Sequence, residues 1–373
     1  MPGGFVHLDV RSYFSLKEGT FSPEDLVRRA AELGMPAVAL TDRDGLYGAA
    51  RFVAACEHHG IKPILGASVT LERDTEGEGP TDHHVTLLAQ EERGYANLCR
   101  LITDAHMAGE RRDPSLAVEQ VCAHAGGLIA LLGPGSPPGA LAIRSRPSAA
   151  LAALQPWCQA FGERLRVAVQ HRLEEGAQAE IRALLRLAER TGIRAVATNP
   201  VRYLVPQDAF LADALECMRG LVPISRTNVS RTNAEGWLKP AREMRRLFAE
   251  RPDLADATRE LAEACAFDLE LHRPRFPDFP TPPGRSASSV LAERCWRGLE
   301  RRGMEATPAV RDRLDLELAM IHRLGYPAYF LTVADIVADV KAMGIRCACR
   351  GSAAGSLVCY LTGVSDVDPI RHD

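Results

Sequence analysis

The chain has 373 residues, 46% of them hydrophobic and 25% charged, with a formal net charge of -3. This is the composition of an ordinary globular protein with a core of normal size, and at roughly 100–200 residues per domain the length suggests two or three domains. The near-neutral balance carries no basic signature of nucleic-acid binding, although a local groove can be basic in a neutral chain. No apolar run approaches a membrane span and no signal peptide precedes Phe5, which argues against a membrane partner. The 10 cysteines lack CxxC spacing and read as free thiols in a reducing cytoplasm.

Residues 5–8 predict a short strand near the N-terminus. Ser22-Pro23-Glu24-Asp25 combines a Ser cap, Pro at the first helical position and acids in the first turn, which predicts a helix ending at Gly34. A buried strand at 37–40, a polar turn at 41–45, a helix through Phe52 and Cys56 and a strand at 63–71 follow. This β-α-β-α-β order implies parallel strands with crossover helices. A polar loop at 73–82 leads to a strand at 84–88 and a helix at 95–108. A strand at 127–131 precedes a Gly-, Pro- and Ser-rich loop at 133–147. Helices at 149–161 and 177–191 flank a strand at 165–169, and 195–197 is a further buried strand. Six or more short β/α units favour a barrel over an open sheet, which directs attention to residues just after each strand.

From 207 to 267 the pattern is helical, with a polar interruption at 225–233. The proline-dense stretch from Arg273 to Gly284 forbids helix and sheet interior and marks a linker. Helices at 289–302, 307–324 and 329–343 come next. Then a predicted strand at 345–350, the Gly351-Ser352 turn and an apolar helix form a corner. Gly351 permits a sharp turn, Ser352 is a good N-cap, and Arg350 offers a charge suited to phosphate. The corner reads equally as a phosphate-binding site or as a tightly packed strand-to-helix connection. Cys347 and Cys349 would share one strand face, as small apolar residues rather than a metal pair.

Taken together, the motifs resemble the N-terminal region of the bacterial DNA polymerase III alpha subunit family, the C-family polymerases. Phe5-Val6-His7-Leu8, Tyr13-Phe14-Ser15-Leu16, Ala39-Leu40-Thr41-Asp42-Arg43-Asp44-Gly45-Leu46-Tyr47-Gly48 and Gly60-Ile61-Lys62-Pro63-Ile64-Leu65-Gly66 look like its polymerase-and-histidinol-phosphatase (PHP) domain. Gly94-Tyr95-Ala96-Asn97-Leu98 and Ala197-Thr198-Asn199 fit the same pattern. Leu324-Gly325-Tyr326-Pro327-Ala328-Tyr329-Phe330 and Arg350-Gly351-Ser352-Ala353-Ala354-Gly355-Ser356 resemble the start of its palm. The Thr41-Asp42-Arg43-Asp44 form is closer to the error-prone branch. The resemblance implies an α/β fold: a distorted, PHP-like β/α barrel over 1–270, a Pro-rich linker over 271–285, and a partial α+β polymerase palm over 286–373. It assigns triphosphate contact to Arg350, Gly351, Ser352, Gly355 and Ser356, and makes Lys341 and Arg346 candidates for phosphate or DNA contact.

The chain departs from the family where metal-holding PHP domains place their ligands. The HxH motif falls on Asp9 and Arg11, the histidine of TDH on Arg43, a glutamate on Ser68, and Asp-x-His on Pro200 and Arg202. Only Asp9, Glu18 and His84 remain as residual ligands, and arginine has no lone pair to donate. The barrel is therefore expected to be metal-free and catalytically silent. The paired aspartates Asp42/Asp44 and Asp366/Asp368 are not expected to be the polymerase metal site, and the family's catalytic aspartates lie beyond this stretch. The resemblance thus implies the N-terminal segment of a cytoplasmic DNA-directed DNA polymerase in replication or translesion synthesis. Magnesium, primer–template DNA, a deoxynucleoside triphosphate and polymerase or sliding-clamp subunits are its expected partners as a whole protein, with no cofactor in this segment. A PHP-type metal-dependent phosphoesterase or 3′–5′ exonuclease, and a non-catalytic interaction module, are the alternatives.

Overall fold

The computed structural model describes residues 4–72, 83–108, 113–271 and 276–372. The polar loop expected at 73–82 and the first part of the expected linker, at 272–275, lie outside the described residues. The chain divides into two compact units, Met1–Leu271 and His272–Asp373.

In chain order the first unit reads α1 (Pro23–Glu32), β1 (Ala37–Arg43), α2 (Ala49–His59), β2 (Lys62–Thr70), β3 (His84–Ala89), α3 (Glu92–Ala108) and α4 (Val118–Ala123). It continues β4 (Leu128–Leu132), α5 (Pro137–Ile143), α6 (Pro147–Phe161), β5 (Leu165–Gln170), α7 (Ala177–Thr191), β6 (Ala195–Thr198), α8 (Ala209–Gly220), α9 (Ala241–Leu247) and α10 (Pro252–Ala264). Local chemistry sets α1 as its sequence requires. The Ser22 hydroxyl accepts from the Asp25 N–H at 3.0 Å, Pro23 occupies the first turn, and Leu26, Val27 and Ala30 make the buried face.

The six strands form one curled sheet in the order β1-β2-β3-β4-β5-β6. Side-chain alternation sorts its residues between two environments. Ala39, Ile64, Leu88, Ile129, Ala168 and Val196 meet Val6 and Leu8 in one cluster, with Ala257, Leu261 and Ala262 of α10 packed on it. The neighbours that face the other way pack under helices. Val38, Leu40 and Leu65 meet α1 and α2, Leu87 and Ala130 meet α3 and α6, and Val167 and Val169 meet α7 and α9. Burial on both faces explains why the strands read as unbroken apolar runs.

Four features differ from the sequence-based expectation. Residues 5–8 form no regular strand: the His7 and Val10 carbonyls accept from Ala39 and Thr41 at 2.9 and 2.8 Å, so three residues advance on one side against two on the other and the ladder is broken. The same segment bonds to Val201 on its other side (Arg11 N–H to Val201 O, and Val201 N–H to Asp9 O, both 3.0 Å), bridging β1 and the chain just after β6. Second, β3 is antiparallel to both β2 and β4, whereas β1–β2, β4–β5 and β5–β6 are parallel. Leu71 N–H bonds His83 O at 2.9 Å, so the chain doubles back as a hairpin does, where a parallel neighbour needs a crossover. Third, the expected loop at 133–147 contains α5. Its Pro137 stands at the first helical position and Ser136 caps Gly139 N–H, so a proline pair that reads as a breaker acts as a helix start.

The fourth lies in the second unit, which contains α11 (Ala287–Arg302), α12 (Pro308–Arg323), α13 (Pro327–Ala342), a 3₁₀ turn at Gly351–Gly355 and α14 (Leu357–Thr362). Its core joins Leu291, Cys295 and Leu299 to Val310, Leu314, Leu331, Leu357, Val358 and Leu361. The strand expected at 345–350 is absent: all regular elements among the described residues of this unit are helical, and an extended segment with no neighbouring strand cannot form a ladder. Cys347 and Cys349 therefore do not share a strand face. Among the described residues, no helix is long and apolar enough to cross a membrane.

Gly94 of α3 packs against the Gly127 backbone so closely that a Cβ would overlap the Gly127 carbonyl. Gly94→Ala is predicted to destabilise the first unit by about 1–3 kcal/mol, read as a lower denaturation midpoint with unchanged m-value.

Candidate functional site

The strand ends and the loops beyond them bring one group of charged side chains together. Asp9 and Arg11 lie on the bridging segment, Arg43 ends β1, Ser68 and Thr70 end β2, Gln170 ends β5, and Arg202 follows β6. Glu18 is their centre. Its carboxylate meets Arg11 at 2.7 Å, Arg43 at 2.9 Å, Arg219 at 3.2 Å and Arg202 at 4.0 Å. Arg11 is 2% exposed and also donates to Ser68 Oγ at 2.8 Å. The Arg43 Nε donates to Thr70 Oγ1 at 3.3 Å. Burial alone would push the Glu18 carboxyl up, but Arg11, Arg202 and Arg43 outweigh it and hold it well below the usual carboxylate range. Burial, then the like charge of Arg11, lowers the Arg202 guanidinium to about 10.

The neighbouring aspartates have structural partners. Asp42 accepts from Ser12 N–H at 2.7 Å and from the Ser12 and Ser15 hydroxyls, while Asp44 accepts from Thr70 N–H and its hydroxyl, both at 2.7 Å. Burial nevertheless raises both carboxyl groups from their ordinary values. Two adjoining cavities open here. The larger, about 430 Å³, is lined by Asp9, His84, Gln170, Thr198 and Arg202 among others; the smaller, about 370 Å³, by Arg11, Glu18, Arg43 and Arg219. Of the three residual ligand positions, Asp9 and His84 thus line one cavity and Glu18 the other.

This donor set does not fit a multinuclear metal centre. Arg11, Arg43 and Arg202 stand where the resemblance places metal ligands, and guanidiniums have no lone pair to donate and repel cations. Among the described residues, no group of three or more His, Cys, Asp or Glu is placed to hold a metal ion. Sequence reasoning missed Arg219 and Gln170. Arg219 sits in the last turn of α8, 201 positions from its partner Glu18, and no local pattern announces it.

The glycine-serine corner of the second unit is built differently from the expectation. Gly351 has φ +68°, a left-handed conformation that favours glycine. Ser352 lies inside the 3₁₀ turn and is not the cap; Ser356 caps α14 by accepting from Cys359 N–H at 3.1 Å. The Glu317 carboxylate of α12 already occupies the start of α14. It accepts from Leu357 and Val358 N–H, both at 3.1 Å, and from Ser356 Oγ at 2.8 Å. Arg313 pairs with Glu317 at 2.7 Å and donates to Gly355 O at 3.0 Å, so α12 braces the corner where the 3₁₀ turn meets α14. Although burial opposes it, Arg313 and these N–H donors keep Glu317 below its ordinary pKa. Gly355 contributes its carbonyl, and Arg346 and Arg350 are exposed. Lys341 donates to Gly363 O at 3.0 Å and pairs with Asp366 at 3.1 Å, while Asp368 accepts from Ile370 and Arg371 N–H in a turn.

Residues 7–172 match the model of the PHP domain, and residues 289–373 match that of the bacterial DNA polymerase III alpha NTPase domain. DNA polymerase III subunit alpha of Caulobacter vibrioides is 37% identical over 99% of this chain and 33% of its own length. Error-prone DNA polymerase of Symbiobacterium thermophilum is 38% identical over 99% of this chain and 35% of its own length. The chain thus spans about a third of the length of the curated relatives it matches. A solved structure of an amidohydrolase from Chromobacterium violaceum aligns at 17% identity and a TM-score of 0.37, covering 65% of this chain and 97% of that one.

Glu18→Gln removes the carboxylate that pairs with Arg11, Arg43 and Arg219 and is predicted to destabilise the first unit at neutral pH by about 3–5 kcal/mol. A carboxyl with a depressed folded pKa stabilises above its unfolded pKa, about 4.3, and loses that contribution as pH falls further toward its folded value. The difference in unfolding free energy between wild type and variant should therefore be full at pH 7 and shrink steadily below about pH 4.3.

Proposed function

We infer that this chain works as the N-terminal part of a DNA-directed DNA polymerase of the bacterial DNA polymerase III alpha family, because its two units match the PHP and DNA polymerase III alpha NTPase domain models in that order. The single observation that carries the reading is the alignment with such polymerases at 37 and 38% identity across 99% of this chain. The reaction of the whole protein is template-directed addition of a deoxynucleotide to a primer 3′ end, with release of pyrophosphate. Its substrates are primer–template DNA and a deoxynucleoside triphosphate, its metal is magnesium, and its setting is the bacterial cytoplasm. Replicative and error-prone relatives match equally well, so the role is proposed at the level of DNA synthesis, with clamp or other polymerase subunits as partners.

In this reading residues 1–270 are the barrel, 271–285 a linker and 286–373 the beginning of the palm. The triphosphate is held by Arg350, Gly351, Ser352, Gly355 and Ser356. The left-handed turn at Gly351 supports this, since it lets backbone approach a phosphate with no side chain intervening. Glu317 competes for part of this set: it holds the Ser356 hydroxyl and the Leu357 and Val358 amides, so the 3₁₀ turn and Arg350 meet the phosphates first and Ser356 joins by exchanging Glu317 for phosphate. Arg346 is the better candidate for DNA contact, because Lys341 is paired with Asp366. The barrel serves as scaffold and docking body, a role supported by arginines at its strand ends.

In magnesium-dependent primer extension, residues 1–373 alone are expected to give no synthesis; extension by this segment would overturn the assignment of catalysis to the rest of the protein. In the whole polymerase, Gly351→Ala forces alanine into a left-handed conformation and is predicted to raise KM for the nucleotide about fivefold. Elemental analysis of the purified chain should find less than one zinc or manganese per molecule, and two or three tightly held ions would restore the phosphoesterase reading.

A further inference from the structure

The nucleotide corner already holds an anion, and that anion belongs to the chain. Glu317 is 15% exposed, and its two carboxylate oxygens divide the donors of the corner between them. Oε1 accepts from the Leu357 N–H at 3.1 Å and from Arg313 Nε at 2.7 Å. Oε2 accepts from the Ser356 hydroxyl at 2.8 Å and from the Val358 N–H at 3.1 Å. Two oxygens of one phosphate group have nearly the same bite as a carboxylate. A phosphate that takes the place of Glu317 therefore inherits these donors, Arg313 among them. Arg313 Nη2 also donates to Gly355 O at 3.0 Å, which anchors the guanidinium where the 3₁₀ turn meets α14. Its side chain is 46% exposed, so a ligand arriving from solvent can reach it.

The sequence motif of the corner does not contain Arg313, which lies 42 positions before Gly355 on another helix. Glu317 in turn sets what a phosphate must overcome. Its charge repels an incoming anion, and its departure leaves buried donors that the ligand has to satisfy. We propose that Arg313 is a further phosphate-binding residue of the nucleotide corner, and that Glu317 keeps the place of a phosphate until the nucleotide displaces it. This rests on the reading of the corner as a triphosphate site. The exchange swaps non-covalent contacts, with no bond formed or broken. Its reverse clears the site, because the returning carboxylate competes with pyrophosphate for the same donors.

Calorimetric titration of the 373-residue chain with dATP and with pyrophosphate, in chelator, tests it. Glu317→Gln is expected to tighten both about tenfold, where a purely structural carboxylate would leave affinity unchanged or weaken it. Adding Arg313→Gln to that variant should weaken binding at least about fivefold and make affinity fall less steeply with salt, as a lost cation–phosphate contact requires. A folded Glu317→Gln that binds dATP no more tightly than wild type overturns the place-holding role. A double variant that binds as Glu317→Gln does overturns the role of Arg313. Arg350→Gln separates these outcomes from failure of the corner itself. No saturable dATP binding by wild type, or binding that Arg350→Gln leaves unchanged, removes the triphosphate site and this proposal with it. Should a glutamine variant not fold, Glu317→Asp and Arg313→Lys replace the glutamine changes, each moving the charge without removing it; smaller changes of the same sign are expected, and no change overturns the proposal.

Discussion

One carboxylate shared among four guanidiniums holds the first unit's working end in place. Glu18 draws together the bridging segment through Arg11, the end of β1 through Arg43, the chain beyond β6 through Arg202, and α8 through Arg219. Such an arrangement is not automatically stabilising, since desolvating several ions opposes the attraction between them. Its effect is to fix relative position. Remove the carboxylate and the like charges around it have every reason to separate, and with them the loops that shape both cavities.

This centre gives the barrel a charge logic opposite to that of a metal site. A cation cluster is organised by surrounding carboxylates and imidazoles, whereas here a single anion is organised by surrounding cations. The second unit repeats the theme on a smaller scale. Glu317 sits on the amides at the start of α14, where the polarity of backbone N–H groups favours negative charge. In both units an internal carboxylate is braced by arginine: Glu18 by Arg43 from the end of β1, and Glu317 by Arg313 one turn earlier on the same helix.

The alternation of strands and helices was legible because each element carries local signals: Ser22 and Pro23 for α1, and apolar runs for β1, β4 and β5. The direction of β3 was not, because apolar runs look the same whichever way a buried strand points. Helix α5 was hidden by Pro137 and Pro138, whose meaning depends on whether a cap precedes them. The extended stretch at 345–350 has strand-like composition, but pairing is a property of neighbours. At the site, Asp9, Arg11, Arg43 and Arg202 were legible as positions because the family motifs locate them. Their assembly around Glu18 was not, and neither was Glu317, which reaches Leu357 across 40 positions of sequence.

The order β1-β2-β3-β4-β5-β6 means that every ladder joins consecutive strands. Each new strand can add to an edge already formed, and loop closure stays inexpensive at every step. One seam escapes this rule. Residues 7–11 must find Val201 across nearly the whole unit, with an irregular ladder on the β1 side and few backbone bonds on the other. Arg11, Glu18 and Arg202 lie on the two lips of that seam. The ion cluster therefore adds side-chain bonds across the junction of the curled sheet that joins Val10 to Val201, the two segments farthest apart in sequence that it pairs.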